Sequence, residues 1–461
     1  MHFSGNLARA AALIIGIAVS APWTTVRSQQ KVYFGELHTH SAFSSDAIGD
    51  LDSVYIRARR DAKVDFLCVT DHDHSLTEKL WEIQKEYVQR YYVPGKFVTL
   101  FGYEWTAYPI TKYGHMTVIY RDGTGLLYRT IDHTAEDLFR DVQKADALIN
   151  VAHPDNGLYA SDTSFYSPIQ RNIEVYGNYN QRFEFFGNPG GSPNQLQGHS
   201  VIDRLNRGRI FGFTGASDDH SGRPGSRGLT AVFADSLTRD QIFDAVRNRK
   251  VYATTGARIL LSFECDETMM GGVLYRPTSN YFTFRFDITG TDYLTKVEVV
   301  KNGSVFRQWS PKEAAEFASA VTDRDTARAY YYLRVTQRNG HMAWSSPIFV
   351  NVDRTDRLIN SVDSNEMTFR IGNSYPNPFN AGAVIPVSIT EQMSQELMSI
   401  DLYNIAGQHV RQLLRGRLSP GSHNIHWDAK GSDGRTAPSG VYYYVLRIGS
   451  AVRTGKMTLV K

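Results

Sequence analysis

Histidines and carboxylates in this chain recur in short, similar patches. His38-Thr39-His40, Thr70-Asp71-His72, Ala152-His153-Pro154 and Asp218-Asp219-His220 each close an apolar run that reads as a β-strand. Gly102-Tyr103-Glu104 and Gly114-His115-Met116 stand between them and are placed the same way. Neutral imidazole together with carboxylate suits zinc, iron and manganese. Several such groups, each at the exit of a different strand, are what a multinuclear metal centre requires.

The patches differ in what each residue can offer. Alternate side chains on a strand share a face, so His38 and His40 leave together and can reach one ion. Asp46 lies on the loop after them and could close a second site. His72 ends a buried run, where an unpaired imidazole is costly. Glu104 ends the next run, and a carboxylate there can bridge two cations. His115 and His153 read as the exits of their own strands. Asp218 and His220 share a face while Asp219 points away, which favours Asp218 as the ligand. A lone strand-end histidine is ordinarily a solvated or core residue; nine competent candidates in matching places outweigh that. His74, His133 and His199 read as surface or supporting residues. Glu174 is equally suited to anchoring a loop or supporting the metals. Asp71 or Asp219 could orient ligands or relay a proton. Arg223 could clamp an anionic substrate, or be an ordinary loop arginine in water.

The elements that must position these groups alternate between strand and helix. Strands are expected at Val32–Leu37, Val64–Val69, Phe97–Phe101, Met116–Tyr120, Ala147–Val151, Asn172–Tyr176 and Ile210–Thr214. Helix starts resembling capping boxes occur at Ser75-Leu76-Thr77-Glu78, Thr134-Ala135-Glu136-Asp137 and Thr238-Arg239-Asp240-Gln241. After the first, Leu76, Leu80, Ile83, Tyr87 and Tyr91 form one apolar face. This alternation from residue 31 to 256 predicts a barrel-like α/β domain whose strand exits form the active face. From 257 to 352 strands follow one another without long helices, and Asn302-Gly303 and Asn339-Gly340 signal hairpins, so a β-sandwich is expected. Residues 353–366 read as a linker, and a second β-rich unit spans 367–461.

At 461 residues the chain needs several cores. A net charge of +3 is too small to argue for a nucleic-acid or membrane-surface partner. The first 28 residues read as an export signal: Arg9, then the apolar stretch Ala10 to Val19, too short to span a bilayer. Cleavage after Ser28 suits the small residues there; cleavage after Ala21 would leave Pro22 beside the cut. No other segment is long and apolar enough to span. The two cysteines could pair in an exported protein, but Cys68 lies in a buried strand and Cys265 in a different unit, so both read as unpaired.

From Val32 to about Gly256, the His-x-His pair, Thr-Asp-His, the strand-end Glu, Ala-His-Pro and Asp-x-His together resemble the PHP family, the polymerase and histidinol phosphatase metallohydrolases. The resemblance implies an α/β fold, a distorted (β/α)7 TIM-like barrel of PHP type, holding two or three divalent ions of Zn, Mn or Fe. One ion would take His38, His40, Glu104 and Asp218. A second would take bridging Glu104, His115 and His153, and a third Asp46, His72 and His220. Asp46 stands where many three-metal members have histidine. Residues 215–225 look like a less studied branch, similar to metallohydrolases of ester or carbamate bonds. The implied activity is a secreted metal-dependent hydrolase of a small, anionic ester. Phosphoesters are favoured, attacked by a water that ionises between two cations. Carboxyl-ester or carbamate hydrolysis, or a non-catalytic metal- or ligand-binding role, are the alternatives.

Ser374-Tyr375-Pro376-Asn377-Pro378-Phe379-Asn380, Leu402-Tyr403-Asn404-Ile405-Ala406-Gly407-Gln408, Trp427-Asp428, Ser439-Gly440-Val441-Tyr442 and Lys456-Met457-Thr458-Leu459 occur in that order. They resemble the immunoglobulin-like C-terminal sorting domain of type IX secretion. This makes both β-rich units expected immunoglobulin-like sandwiches. It implies the type IX secretion machinery as a partner, and passage through the periplasm to the cell surface or the medium.

Overall fold

The computed structural model describes residues 30–461 except 107–112, 143–144, 158–165, 178–179, 276–280, 353–368, 372–373, 390–395, 420 and 449–450. The expected export signal and linker lie outside the described residues.

The first unit is built from β1 (Lys31–Glu36), α1 (Leu51–Arg60), β2 (Phe66–Cys68), α2 (Glu78–Tyr91), β3 (Val98–Thr106), β4 (His115–Tyr120), α3 (Ala135–Val142), β5 (Ala147–Val151), β6 (Gln170–Gly177), β7 (Gln181–Arg182), α4 (Val201–Asn206), β8 (Gly212–Gly215), β9 (Leu229–Ala234), α5 (Arg239–Arg247) and β10 (Val251–Thr254). β1 to β6 lie side by side in chain order, β8 pairs with β6, and β9 and β10 extend the other edge. β2, β4 and β5 are buried along their whole length, as continuous apolar runs covered on both faces should be.

One departure from the expected alternation matters for the site. β4 runs antiparallel to both β3 and β5, whereas β1–β2, β2–β3, β5–β6 and β6–β8 are parallel. The sheet is therefore mixed rather than uniformly parallel. His115 accordingly opens its strand instead of ending it. Because β4 is reversed, that start lies at the same end as the exits of its neighbours.

The helix starts follow from side-chain caps. Thr77, not Ser75, caps α2, accepting from Leu80 N. Thr134 and Asp137 bond reciprocally ahead of α3, and Thr238 caps α5. These bonds satisfy backbone donors that a helix leaves open. The buried face of α2 is centred on Trp81, Gln84 and Val88, with Leu80, Ile83, Tyr87 and Tyr91 half-buried on its flank. The face is rotated from the apolar pattern because Gln84 is drawn inward. Its amide donates to the carbonyls of Val69, just past β2, and Gly102, within β3.

The middle strands form two sheets that face each other. Leu260–Cys265, Tyr281–Thr289 and Glu316–Arg324 make one; Leu294–Lys301, Ser304–Trp309 and Ala329–Gln337 make the other. Phe284 packs on Tyr331 between them, with ring centroids 4.2 Å apart. Asn302 and Gly303 both have positive φ and join Lys301 to Ser304 as a two-residue hairpin. Met342–Ser345 pairs antiparallel with β10, so the middle strands continue the large sheet. They share its core as well, since Phe34, Leu67 and Tyr103 belong to one apolar cluster with Phe284, Leu333 and Val350. The C-terminal unit has two sheets of three and four strands over a separate core containing Ile385, Ile400, Trp427, Tyr444 and Leu459. Cys68 and Cys265 are both buried, and no disulfide joins them.

Candidate metal centre

Backbone hydrogen bonds tie the strand ends to one another in sequence around the sheet. Asp218 N donates to His38 O and His40 N to Asp219 O. Thr70 N donates to Thr39 O, Glu104 N to Asp71 O, and Asp73 N to Glu104 O. Thr106 pairs with His115, and Ala152 N donates to His115 O. Ala216 N donates to Tyr176 O, which links the exits of β6 and β8. Each candidate patch thus sits on main chain bonded directly to the next. Asp218 and His153 have φ of +52° and +27°. Backbone held in such sparsely populated conformations is typical of functional sites.

This scaffold brings all nine expected ligands into one connected cluster. Glu104 lies at its centre, contacting five histidines. Its Oε1 is 3.0 Å from His115 Nδ1, 3.3 Å from His38 Nε2 and 3.4 Å from His153 Nε2. Its Oε2 is 2.8 Å from His72 Nδ1 and 3.6 Å from His40 Nε2. Asp218 Oδ1 faces the same space, 3.2 Å from His38 Nε2 and 3.1 Å from His40 Nε2. Asp46 Oδ2 lies at the rim, 3.4 Å from His72 Nε2 and 3.5 Å from His220 Nε2. The ligand atoms of His38, His40 and Glu104 gather within 4.8 Å of one another. So do those of Glu104, His115 and His153, of His38, His153 and Asp218, and of His40, His72 and His220.

The donor set fits divalent cations. Among the described residues, His38 Nε2 and Glu104 Oε2 are buried without a hydrogen-bond partner, although oppositely disposed polar atoms lie within 3.3 Å of each. Such spacing suits ligands arranged about a shared centre better than ligands bonded to one another. Charge points the same way. Burial works against the charge on Glu104, but the surrounding histidines, His115 and His38 foremost, hold it well below the ordinary carboxylate range. Burial likewise opposes the charge on Asp218, and His38 and His40 outweigh it. Burial would lower His72, yet Glu104, Asp46 and Asp218 raise it to about 9. Burial would lower His38 too, and Asp218, Glu174 and Glu104 lift it well above the usual range. Burial dominates at His40, which falls to about 4. The pocket demands positive charge, and cations would supply it in place of protons.

The remaining sequence candidates fall into place around the cluster. Glu174 is fully buried; its Oε1 accepts from His38 Nδ1 at 2.8 Å and its Oε2 from His153 N at 2.9 Å. This orients His38 with Nε2 toward the cluster, the usual second carboxylate of a metal histidine. Asp71 points away from the cluster and accepts from the backbone and hydroxyls of Ser41 and Ser44. Asp219 accepts from Ser221 and from Arg223 N, closing the turn after Asp218. Arg223 is exposed and lines a surface groove of about 540 Å³ with Arg57, Asp61, Ala62, Pro224, Gly225 and Ser226, none of them in the cluster. His74 is exposed and stacks on His72 at 5.1 Å; His133 is exposed against Tyr128. Two buried residues escaped the sequence reading. Glu36 accepts from Ser217 N and Gly225 N and so holds the turn that carries Asp218 and His220. Its alternation with His38 and His40 was the available signal. Ser44 lies between Asp71, His40 and His72.

Comparison with known proteins places this geometry in context. Residues 50–167 and 179–269 match the model of DUF3604, a protein family of unknown function. That match takes in His72, Glu104, His115, His153, Asp218 and His220 and begins after His38, His40 and Asp46. Residues 373–450 match the FlgD Ig-like domain. An uncharacterized protein of Chlamydia muridarum is 30% identical over 228 residues, 41% of this chain and 36% of that protein. One from Chlamydia pneumoniae is 25% identical over 381 residues, 73% of this chain and 60% of that protein. The chain therefore spans between about a third and three-fifths of these relatives' length. Among solved structures, a two-domain protein of Bacteroides vulgatus, described as containing a predicted PHP-like metal-dependent phosphoesterase, is 16% identical. It covers 69% of this chain and 95% of its own, with a TM-score of 0.38. PorZ, a surface component of the type-IX secretion system of Porphyromonas gingivalis, covers 40% of this chain and 22% of its own at 14% identity and a TM-score of 0.16. No helix among the described residues is long and apolar enough to cross a membrane.

Proposed function

We propose that the chain is a metal-dependent hydrolase of PHP type, with phosphoesters its favoured substrates. The observation that carries the reading is Glu104, buried among five histidines with Asp218 opposite. Around it the seven strands β1 to β6 and β8 would form a distorted barrel, joined where Thr39 bridges Asp219. Divalent zinc, manganese or iron bound there would ionise a water near neutral pH and stabilise negative charge on the substrate. Glu104 serves two positions, one with His38, His40 and Asp218 and one with His115 and His153. His72, His220 and Asp46 serve a third at the rim. The Asp46 side chain is 58% exposed and that of His220 15%, so substrate would enter on this side. Glu174 holds His38 in ligating orientation, and Asp219 fixes the turn bearing Asp218. The guanidinium of Arg223, beside Arg57, is a candidate partner for an anionic substrate. The C-terminal unit would be a type IX sorting domain directing the enzyme through the periplasm to the outside, which its ordered motif set supports.

The test is turnover by the metal-reconstituted full chain on chromogenic phosphomonoester, phosphodiester and carboxyl-ester substrates. Phosphoester hydrolysis that is lost in Glu104→Gln is expected. Carboxyl-ester turnover alone would move the substrate class, and no turnover on any of the three would contradict the hydrolase reading.

A further inference from the structure

Ser44 sits at the junction of three groups and is almost fully buried. Its Oγ is 2.8 Å from Asp71 Oδ1, 3.0 Å from His72 N and 2.9 Å from His40 Nδ1. A hydroxyl has one proton to give and two lone pairs to offer. The character of two neighbours is fixed. A carboxylate oxygen can only accept, and a backbone N–H can only donate. The Ser44 proton therefore goes to Asp71, and one lone pair takes His72 N–H. The other lone pair can only accept from His40, so His40 Nδ1 must carry a hydrogen. Its Nε2 is then the nitrogen that faces the cluster, within hydrogen-bond distance of Asp218 Oδ1 at 3.1 Å and 3.6 Å from Glu104 Oε2.

We propose that Ser44 is a positioning residue that sets the tautomer of His40, with Asp71 taking the Ser44 proton rather than relaying one. The hydroxyl thus does for His40 what the Glu174 carboxylate does for His38. It keeps the hydrogen on Nδ1 and turns Nε2 to the cluster. The hydrogen placement follows from the bonding pattern alone; its consequence for ligation rests on the metal reading.

The assignment separates orientation from proton relay at Asp71. Its Oδ1 accepts from Ser41 N and Ser44 N as well as from Ser44 Oγ, whereas Oδ2 accepts only from the Ser41 hydroxyl, at 2.7 Å. In Asp71→Asn the two backbone donors would keep the amide oxygen at the Oδ1 position. The new NH2 would meet Ser41 Oγ, which can turn to accept. The Ser44 proton would still have its acceptor. Asp71→Ala removes that acceptor, and Ser44→Ala removes the hydroxyl.

The experiment uses the metal-free full chain with 15N-labelled imidazoles, the His40 signals being assigned by their loss in His40→Gln. Wild type and Asp71→Asn should both show a protonated Nδ1. Ser44→Ala and Asp71→Ala should shift His40 toward the other tautomer. Zinc titration against a competing chelator on the same proteins should show about 10- to 100-fold weaker binding in those two, the usual cost of losing a partner behind a metal histidine. Asp71→Asn should stay within about threefold of wild type by the same measure. An Nδ1 without hydrogen in wild type, or an unchanged tautomer and affinity in Ser44→Ala, would overturn the proposal. So would an Asp71→Asn variant as impaired as Asp71→Ala, which would return Asp71 to a proton-transfer role. Wild type that binds no zinc yet keeps the Nδ1 hydrogen would remove the metal reading and leave the Ser44 assignment standing.

Discussion

Glu174→Gln should weaken metal binding without unfolding the protein. The wild-type carboxylate accepts on both oxygens, from His38 Nδ1 at 2.8 Å and Asn150 Nδ2 at 3.5 Å on Oε1 and from His153 N at 2.9 Å on Oε2. A glutamine has one acceptor oxygen in that space. Whichever way the amide turns, its NH2 faces a donor. If it faces His38, the imidazole must move its hydrogen to Nε2, the atom that looks onto Glu104 and Asp218. If it faces His153, the strained backbone at φ +27° loses its tether. Either outcome removes one hydrogen bond to a charged group, about 1.5–3 kcal/mol. Every 1.4 kcal/mol is tenfold in an equilibrium constant, so zinc affinity should fall about 10- to 100-fold. That agrees with losses seen when second-layer carboxylates are removed. The assay is a chelator-competition titration of full-length wild type and variant, with circular dichroism to confirm an unchanged fold. Affinity within about twofold of wild type would show that Glu174 merely anchors the loop, and the orienting role assigned to it would fail.

Three further outcomes follow from packing. Gly102→Ala should cost about 1–3 kcal/mol in the urea unfolding midpoint, as overpacking does, because its Cβ would stand 2.6 Å from Cys68 Sγ and 2.7 Å from Val118 O; an unchanged midpoint would refute the close approach of β2, β3 and β4. Glu184 is buried and accepts from Tyr332 OH, Arg334 Nη1 and Trp344 Nε1, so it ties the segment after β7 to the middle strands. Glu184→Gln should lower stability by about 3 kcal/mol, as removing one charge of a buried pair does, and calorimetry showing no change would mean the two parts are independent. Removing Ser374 to Lys461 should leave metal content and melting of the remainder unchanged, since that unit has its own core, while in the native host the shortened protein should stall in the periplasm; normal amounts outside the cell would reject the sorting role.

Much of the site was legible because its residues obey local rules. Strand alternation separates Asp218, which faces the cluster, from Asp219, which holds the turn. It also pairs His38 with His40. The helix caps at Thr134 and Thr238 were legible for the same reason: a cap is a contact between residues three apart. What was not legible depends on partners distant in sequence. The antiparallel direction of β4 is set by its pairing with β3 and β5, so His115 opens a strand it was expected to close. Gln84 faces inward because its amide reaches two carbonyls, on Val69 and Gly102, that belong to distant strands. The continuity of β10 with Met342–Ser345 joins segments about ninety residues apart, which no local pattern announces. Ser44 and Glu36 read as ordinary loop and strand residues until the turns they hold are seen.

The central claim is a multinuclear metal centre built on Glu104, and elemental analysis of the purified, reconstituted chain beside Glu104→Gln tests it most directly. Two or three equivalents of zinc, manganese or iron per wild-type chain are predicted. The variant should retain at most one, held by His72, His220 and Asp46, because the carboxylate that serves both other positions is gone. Less than one equivalent in wild type, or an undiminished count in Glu104→Gln, would contradict the account.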